Sequence, residues 1–265
     1  MARDPSVKFM KSKDNLLSPR VNPTAAPGSP RGLSHIRDWV FDLDNTLYPA
    51  DINLFPQVDR RMGQFIAQHF GIGAEEARAI QKHYFRTYGT TLRGLMLHHG
   101  MEPHAYLDYV HDIDLSVVTA NAALDEALGK LDGRKTVFTN GSLKHAEAIL
   151  DRLGIAYHFA AIFDVAAAEF VPKPDPACYQ KMLMSLVIAP ERAALFEDTA
   201  QNLPPAAALG MITVLVVPPV AALSAAATDP VPPRPQPDDQ IHFVTDDLIR
   251  WLRDAARTRA NPTRS

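Results

Sequence analysis

Hydrophobic residues in this chain follow two spacings. Unbroken apolar runs at Trp39-Val40-Phe41, Thr136-Val137-Phe138, Ala194-Leu195-Phe196, Ile212 to Val217 and Phe243-Val244 predict strands. Stripes recurring every three or four residues predict helices. One carries Leu143, Ala146, Ile149, Leu150 and Leu153, with Ser142 as its cap and Gly154 as its stop. Pro176 begins another behind Asp175, Leu203-Pro204-Pro205 opens a third that ends at Gly210, and a last one follows the final strand to about residue 256. From Tyr48 to about Leu115 the spacing is helical throughout. It falls into Val58, Met62, Phe65, Ile66 and Phe70, closed by Gly71; Ala77, Ile80, Tyr84 and Phe85; Leu92, Leu95 and Met96; and Tyr106, Leu107 and Val110. At 265 residues the pattern suits one α/β core with a bundle of about four helices inserted after the first strand.

Polar residues gather where the strands end. Asp42-Leu43-Asp44-Asn45-Thr46 follows Phe41, and two aspartates of one parity can face the same small volume. One carboxylate there can attack phosphorus and the other can handle the leaving-group proton. The pair is also a hard oxygen site suited to Mg²⁺. The same residues read equally as a strand end followed by an Asx turn. Thr139-Asn140-Gly141 ends the second run just before a helix, where a hydroxyl and backbone N–H groups suit phosphate. Alone, that is an ordinary strand-to-helix turn. Pro172-Lys173-Pro174-Asp175 holds a lysine in a restricted loop, able to neutralise a carboxylate and a phosphoryl oxygen together. In isolation a surface lysine in a turn reads the same way. Glu197-Asp198 closes the run at Phe196, with Asn202 shortly beyond, and an acid there is the further ligand a Mg²⁺ site needs.

Taken together and in this order, the four segments resemble the haloacid-dehalogenase-like hydrolase superfamily over about residues 36–217. The resemblance implies an α/β fold, a doubly wound parallel, Rossmann-like sheet whose site lies at the carboxyl ends of its strands. It also implies that the inserted helices form a small all-helical cap that closes over small substrates. More finely, Asp42 to Pro49, Tyr88-Gly89-Thr90-Thr91-Leu92-Arg93-Gly94-Leu95, Tyr109-Val110-His111-Asp112 and Phe196 to Leu203 look like the pyrimidine 5′-nucleotidase branch.

That resemblance assigns roles. Asp42 would form an aspartyl-phosphate, and Asp44 would protonate the leaving oxygen and then activate water. Mg²⁺ would be held by the Asp42 carboxylate, the Asp44 main-chain carbonyl and Asp198. Thr139, the Asn140 and Gly141 backbone and Lys173 would bind phosphoryl oxygens. Thr46, Glu197 and Asn202 would support those groups from behind. The dehalogenase branch lacks an aspartate at the position of Asp44, because a halide leaving group needs no acid. A sugar phosphomutase finds no support here, since that branch usually carries glycine where this chain has Asn45. Tyr88, Thr90, Thr91, Arg93, His98 and His99 are cap candidates for touching substrate, against helix core for Tyr88 and a solvated helix end for the histidines. The expected activity is a Mg²⁺-dependent phosphomonoester hydrolase acting on UMP or CMP. The competing readings are another small phosphomonoester, such as a sugar phosphate or lysophospholipid, and a catalytically inactive binding module.

Composition narrows the setting. Net charge of −3 gives no reason to expect nucleic-acid or bilayer binding, and no apolar run approaches the ~20 residues that span a membrane. The expected partner is a small phosphorylated substrate; nothing in the pattern specifies an oligomeric state. The single cysteine, Cys178, excludes an intrachain disulfide and fits a reducing, cytoplasmic compartment. Residues 1–35 are rich in Pro, Ser, Lys and Arg and lack the apolar centre of a secretion signal, so they read as a disordered tail. A transit peptide is the competing reading, opposed by Asp4, Pro5 and Asp14. The divisions expected are a core at 36–50 and 116–217, a cap at 51–115, a Pro/Ala-rich linker at 218–240, a final strand and helix at 241–257, and a frayed tail at 258–265.

Overall fold

The computed structural model describes residues 32–219 and 235–260, with side chains through position 258. Most of the expected tail at 1–35, the middle of the expected linker and residues 261–265 lie outside the described residues. Six parallel strands form one sheet: β1 Asp38–Phe41, β2 Arg134–Phe138, β3 Ala161–Phe163, β4 Ala193–Glu197, β5 Ile212–Val216 and β6 Phe243–Thr245. Their order is β3-β2-β1-β4-β5-β6, the doubly wound arrangement in which the chain reverses direction beside its first strand. In β1, Trp39 pairs with Lys135 on one side and Ala194 on the other, so this strand is central.

Alternation along the strands decides which helices cover which face. Trp39, Phe41, Val137, Phe196 and Val214 pack with α5 Ala122–Lys130, α6 Leu143–Leu153 and α9 Leu248–Ala260. Val40, Phe138, Leu195 and Leu215 pack with α7 Pro176–Leu186 and α8 Pro204–Ala208 on the opposite face. The Phe41 and Phe196 rings stack 4.5 Å apart, each burial being worth roughly 1.5–3 kcal/mol. Helix boundaries follow their caps. Ser142 accepts from His145 N, Gly154 ends α6 at φ 73°, and Asp175 accepts from Ala177 N. Cys178 is buried, as its place in the first turn of α7 predicts.

Between β1 and α5 lie α1 Phe55–Phe70, α2 Ala74–Tyr88, α3 Thr91–His99 and α4 Pro103–Val110. They bury their own apolar cluster, including Val58, Ile66, Ala77, Leu95, Tyr106 and Val110. Gly94 lets α3 press onto α2, because a Cβ there would stand 2.3 Å from the Tyr84 ring.

Some details differ from the sequence pattern. Leu33–His35 form a 3-10 turn with Leu33 buried in the core, so the end of the expected tail is structured. Gln240 lends its carbonyl to Thr213, which ties the end of the expected linker to the sheet. Helix α9 runs on through residues expected to fray, to Ala260. Among the described residues no helix is long and apolar enough to cross a membrane.

Candidate active site

The turn after β1 places two carboxylates in different company. Asp42 N donates to the Phe196 carbonyl at 2.9 Å, which continues the sheet pairing for one residue. Lys173 Nζ donates to Asp42 Oδ1 at 2.6 Å, to Glu197 Oε2 at 2.7 Å and to the Phe138 carbonyl at 2.9 Å. Thr46 donates to the other Asp42 oxygen at 3.3 Å. Asp44 instead takes Tyr48 Oη at 2.5 Å and His145 Nε2 at 2.9 Å, both on Oδ1. Asn45, next after Asp44, adopts φ 60°, a left-handed conformation that asparagine tolerates, and donates to Asp198 Oδ2 at 3.3 Å.

These partners set the protonation of the two aspartates apart. Burial and then the Glu197 charge push the Asp42 carboxyl up to about 7, against the pull of Lys173. Burial also opposes ionisation of Asp44, but His145 and Tyr48 outweigh it and hold that carboxyl down at about 2. Burial works against the Lys173 ammonium as well, yet Asp42 and Glu197 raise its affinity for the proton. Asp198 is lifted to about 6 by burial and by Asp42. His145 stacks on His111 at 4.3 Å, and burial together with His145 lowers His111 to about 3, so His111 is a neutral imidazole 3.0 Å from the Ser142 hydroxyl.

The remaining motif residues surround this pair. Thr139 Oγ1 accepts from Gly141 N at 2.9 Å, so that amide, expected to meet phosphate, is already engaged. The Asn140 side chain grips the lysine loop in both directions, accepting from Lys173 N at 2.9 Å and donating to its carbonyl at 3.2 Å. Glu197 Oε1 takes Asn202 at 3.0 Å. Asp42, Glu197 and Asp198 bring carboxylate oxygens within 4.8 Å of one another, a set of hard donors that fits an ion such as Mg²⁺ better than zinc. Each of the three already accepts hydrogen bonds on both oxygens, Asp42 from Lys173 and Thr46, Glu197 from Lys173 and Asn202, and Asp198 from Asn45 and Thr199.

A cavity of about 300 Å³ opens on these groups. Its floor is Asp42, Asp44, Thr139, Lys173 and Asp198, and its cover comes from α1 to α4. Thr90 and Thr91 line it, but Thr90 caps α3 by accepting from Arg93 N, and Thr91 donates to the Gln81 carbonyl at 3.2 Å. Tyr88 and Arg93 do not line it. Tyr88 pairs with His98 on the outer surface at 2.5 Å, and Arg93 reaches the Phe170 carbonyl at 3.5 Å. His99 pairs with Tyr84 at 2.7 Å. The Tyr88-to-Leu95 block therefore meets the cavity through Gly89, its two threonines and Leu92, while Tyr88 and Arg93 bond neighbours outside it.

Sequence reasoning missed Tyr48 and His145 as partners of Asp44. Both had a signal: Tyr48 follows Asp44 by one helical step, and His145 lies in the first turn of a helix that starts at a strand end. Asp59, Gln81 and Lys82, which also line the cavity, had none, since each is an ordinary polar residue on an amphipathic helix.

Comparison with known proteins agrees with this geometry. Residues 39–210 match the haloacid dehalogenase-like hydrolase family, and the chain belongs to that family of hydrolases. Phosphate metabolism protein 8 of Saccharomyces cerevisiae is 28% identical over 191 residues; the aligned region takes in 65% of this chain and 59% of that protein, so the chain spans well under its whole length. Among solved structures, L-2-haloacid dehalogenase from Xanthobacter autotrophicus superposes with a TM-score of 0.52 at 16% identity, covering 85% of this chain and 99% of its own. The HAD-hydrolase YfnB from Bacillus subtilis, a structure bound to magnesium, gives 0.50 at 12% identity over 83% and 98%. At such identities the likeness is one of fold alone.

Proposed function

We propose that this hydrolase is a Mg²⁺-dependent phosphomonoesterase, and that its substrates are pyrimidine nucleoside monophosphates such as UMP and CMP. The observation that carries the chemistry is the contrast between Asp42, held by the Lys173 ammonium, and Asp44, held by Tyr48 and His145, on the floor of one covered cavity. Asp42 attacks phosphorus, forming an aspartyl-phosphate while the bond to the ester oxygen breaks. Lys173 orients that carboxylate and offsets its charge. Asp44 takes up a proton as an incoming phosphate dianion raises its affinity for protons, and delivers it to the departing oxygen. It then takes a proton from the water that hydrolyses the intermediate and releases phosphate. Thr139 and the Asn140 and Gly141 backbone line the place where phosphoryl oxygens would sit.

Mg²⁺, held by the Asp42 carboxylate, the Asp44 carbonyl and Asp198, would offset negative charge on the phosphoryl group. Thr46, Glu197 and Asn202 would keep those groups in place. An acid aimed at the leaving group favours ester hydrolysis over carbon–halogen cleavage. The nucleotide assignment rests on the resemblance of the Asp42-to-Pro49, Tyr88-to-Leu95 and Phe196-to-Leu203 segments to the pyrimidine 5′-nucleotidase branch. The apolar cavity wall, with Phe55, Val58, Met62, Phe85 and Leu107, favours a second reading in which the leaving group is a lysophospholipid or similar ester. A buried lone cysteine and no described membrane-crossing helix fit a cytoplasmic setting. The deciding experiment is phosphate release from UMP, CMP, ribose 5-phosphate and a lysophosphatidate, with and without Mg²⁺. UMP or CMP should lead. No release from any of them would end the phosphatase reading, and a preference for another ester would end the nucleotidase one.

A further inference from the structure

The helical wall of the cavity contains a polar atom with nothing to bond. Tyr106, on α4, is 1% exposed, and its hydroxyl meets no hydrogen-bond partner. The other buried side-chain atom in that condition among the described residues is Trp251 Nε1, whose ring packs in the sheet core against Phe196 and Phe243. An unpaired buried hydroxyl destabilises the fold that holds it. The Tyr106 ring has a packing role, lying edge-on to Phe65 at 5.1 Å within the apolar cluster of the four helices. Phenylalanine would fill that role equally well, so packing accounts for the ring and leaves the hydroxyl without a reason.

The groups beside it are committed elsewhere. The Thr91 hydroxyl exerts a hydrogen-bonding pull on the phenol without standing in bonding geometry to it, and donates its own proton to the Gln81 carbonyl at 3.2 Å. Asp59, the carboxylate that bears on the phenol, takes the Gln81 amide at 2.8 Å and the Lys82 ammonium at 2.6 Å on one oxygen. All of these residues line the same cavity as Asp42 and Asp44. A tethered wall with one free hydroxyl is how a site is built to read a ligand, because a phenol can donate to a carbonyl or accept from an amino group. Phe55 and Phe85, 39% and 46% exposed, add aromatic surface to the same wall.

We infer that the Tyr106 hydroxyl is a specificity-determining contact that hydrogen-bonds the polar edge of the leaving group, the base of a pyrimidine nucleotide. The inference rests on the nucleotidase reading above. It also moves base recognition from the Tyr88-to-Leu95 block to the α4 face of the cavity. A site built around such a bond discriminates strongly against ligands that lack the matching group.

Tyr106→Phe removes one atom and leaves the ring, so the test is clean. Steady-state kinetics of the full chain are measured on UMP and on p-nitrophenyl phosphate, whose leaving group has no base edge, together with the melting temperature. The ratio of kcat/KM on UMP to that on p-nitrophenyl phosphate should fall at least tenfold, mainly through KM. The melting temperature should hold or rise, since an unpaired buried hydroxyl is removed. An unchanged ratio with UMP still hydrolysed would overturn the inference and leave the nucleotidase reading standing. Equal losses on both substrates with a lower melting temperature would assign the hydroxyl to packing and overturn it too. Wild-type protein that cleaves p-nitrophenyl phosphate but not UMP would instead remove the nucleotidase reading, and the inference with it.

Discussion

The floor of the cavity and its helical cover are built on different principles. On the floor, nearly every functional group is fixed by charge-assisted bonds: Lys173 touches two carboxylates and a carbonyl, and Asp44 is held by a phenol and an imidazole. The cover holds together through an apolar cluster, with polar side chains tied mostly to one another around Asp59. Charge fixes position sharply but tolerates no loss, because a stranded partner stays buried. Apolar packing tolerates exchange of similar volumes. The floor should therefore be intolerant of change, and the cover should be where substrates are told apart.

The largest test of that contrast is Asp42→Asn. Turnover should drop by several orders of magnitude. The melting temperature should hold or rise, since Lys173 keeps Glu197 and a repelling charge is gone. Activity within tenfold of wild type would break the aspartyl-phosphate mechanism. Lys173→Met should cost stability as well as activity. Asp42 and Glu197 would face each other without their cation, a loss of about 3–5 kcal/mol measurable by denaturant unfolding. A variant as stable as wild type would show that the floor does not depend on that ammonium.

Metal tests come next in size. EDTA should abolish phosphate release and Mg²⁺ restore it, and Asp198→Ala should raise the Mg²⁺ needed for half-maximal rate by about tenfold or more. Full activity in chelator would refute the metal assignment. Proton linkage gives a readout free of turnover. Asp42 and Asp198 hold their protons up to about 7 and about 6 in the folded chain, above the ordinary 3.8. The unfolded chain ionises first as pH rises, so these two groups lower metal-free stability progressively from about pH 4 to about pH 7. The rise in melting temperature on adding Mg²⁺ should therefore grow between about pH 5 and about pH 8. A shift independent of pH would mean that the ion binds elsewhere.

The smallest expected effect sharpens the cover side. Arg93→Ala should change UMP hydrolysis less than twofold, because its guanidinium reaches the Phe170 carbonyl rather than the cavity. Thr91→Val, inside the cavity lining, should be felt more. The reverse order, seen in kcat/KM, would return base recognition to Arg93.

This contrast also explains what could be read in advance. Strand ends bearing Asp42, Thr139 and Glu197 were legible because apolar runs stop abruptly at polar residues. The caps Ser142 and Asp175 were legible because capping is a local act. The partnership of His145 with Asp44 was harder, since a sequence separation of 101 residues closes only when β1 and β2 pair. The strand Ala161–Phe163 is too short to show any period, and α5 is a short helix whose large apolar residues are Leu124 and Leu128 alone. In the cover, Tyr106 was read correctly as core, and nothing in a stripe tells which core residue carries an unsatisfied hydroxyl.

The Lys173 bridge has an electroneutrality consequence. Asp42, Glu197 and Asp198, when ionised, are three negative charges, and Lys173 supplies one positive charge among them. Asp44 stands apart from this cluster, taking its own hydrogen bonds from Tyr48 and His145. The cluster is thus left two charges short of neutrality, the valence of one alkaline-earth ion. A monovalent cation would leave it negative, and a trivalent one would leave it positive and slow to release a phosphate anion. The lysine, by subtracting one charge, sets which valence the site is balanced to hold.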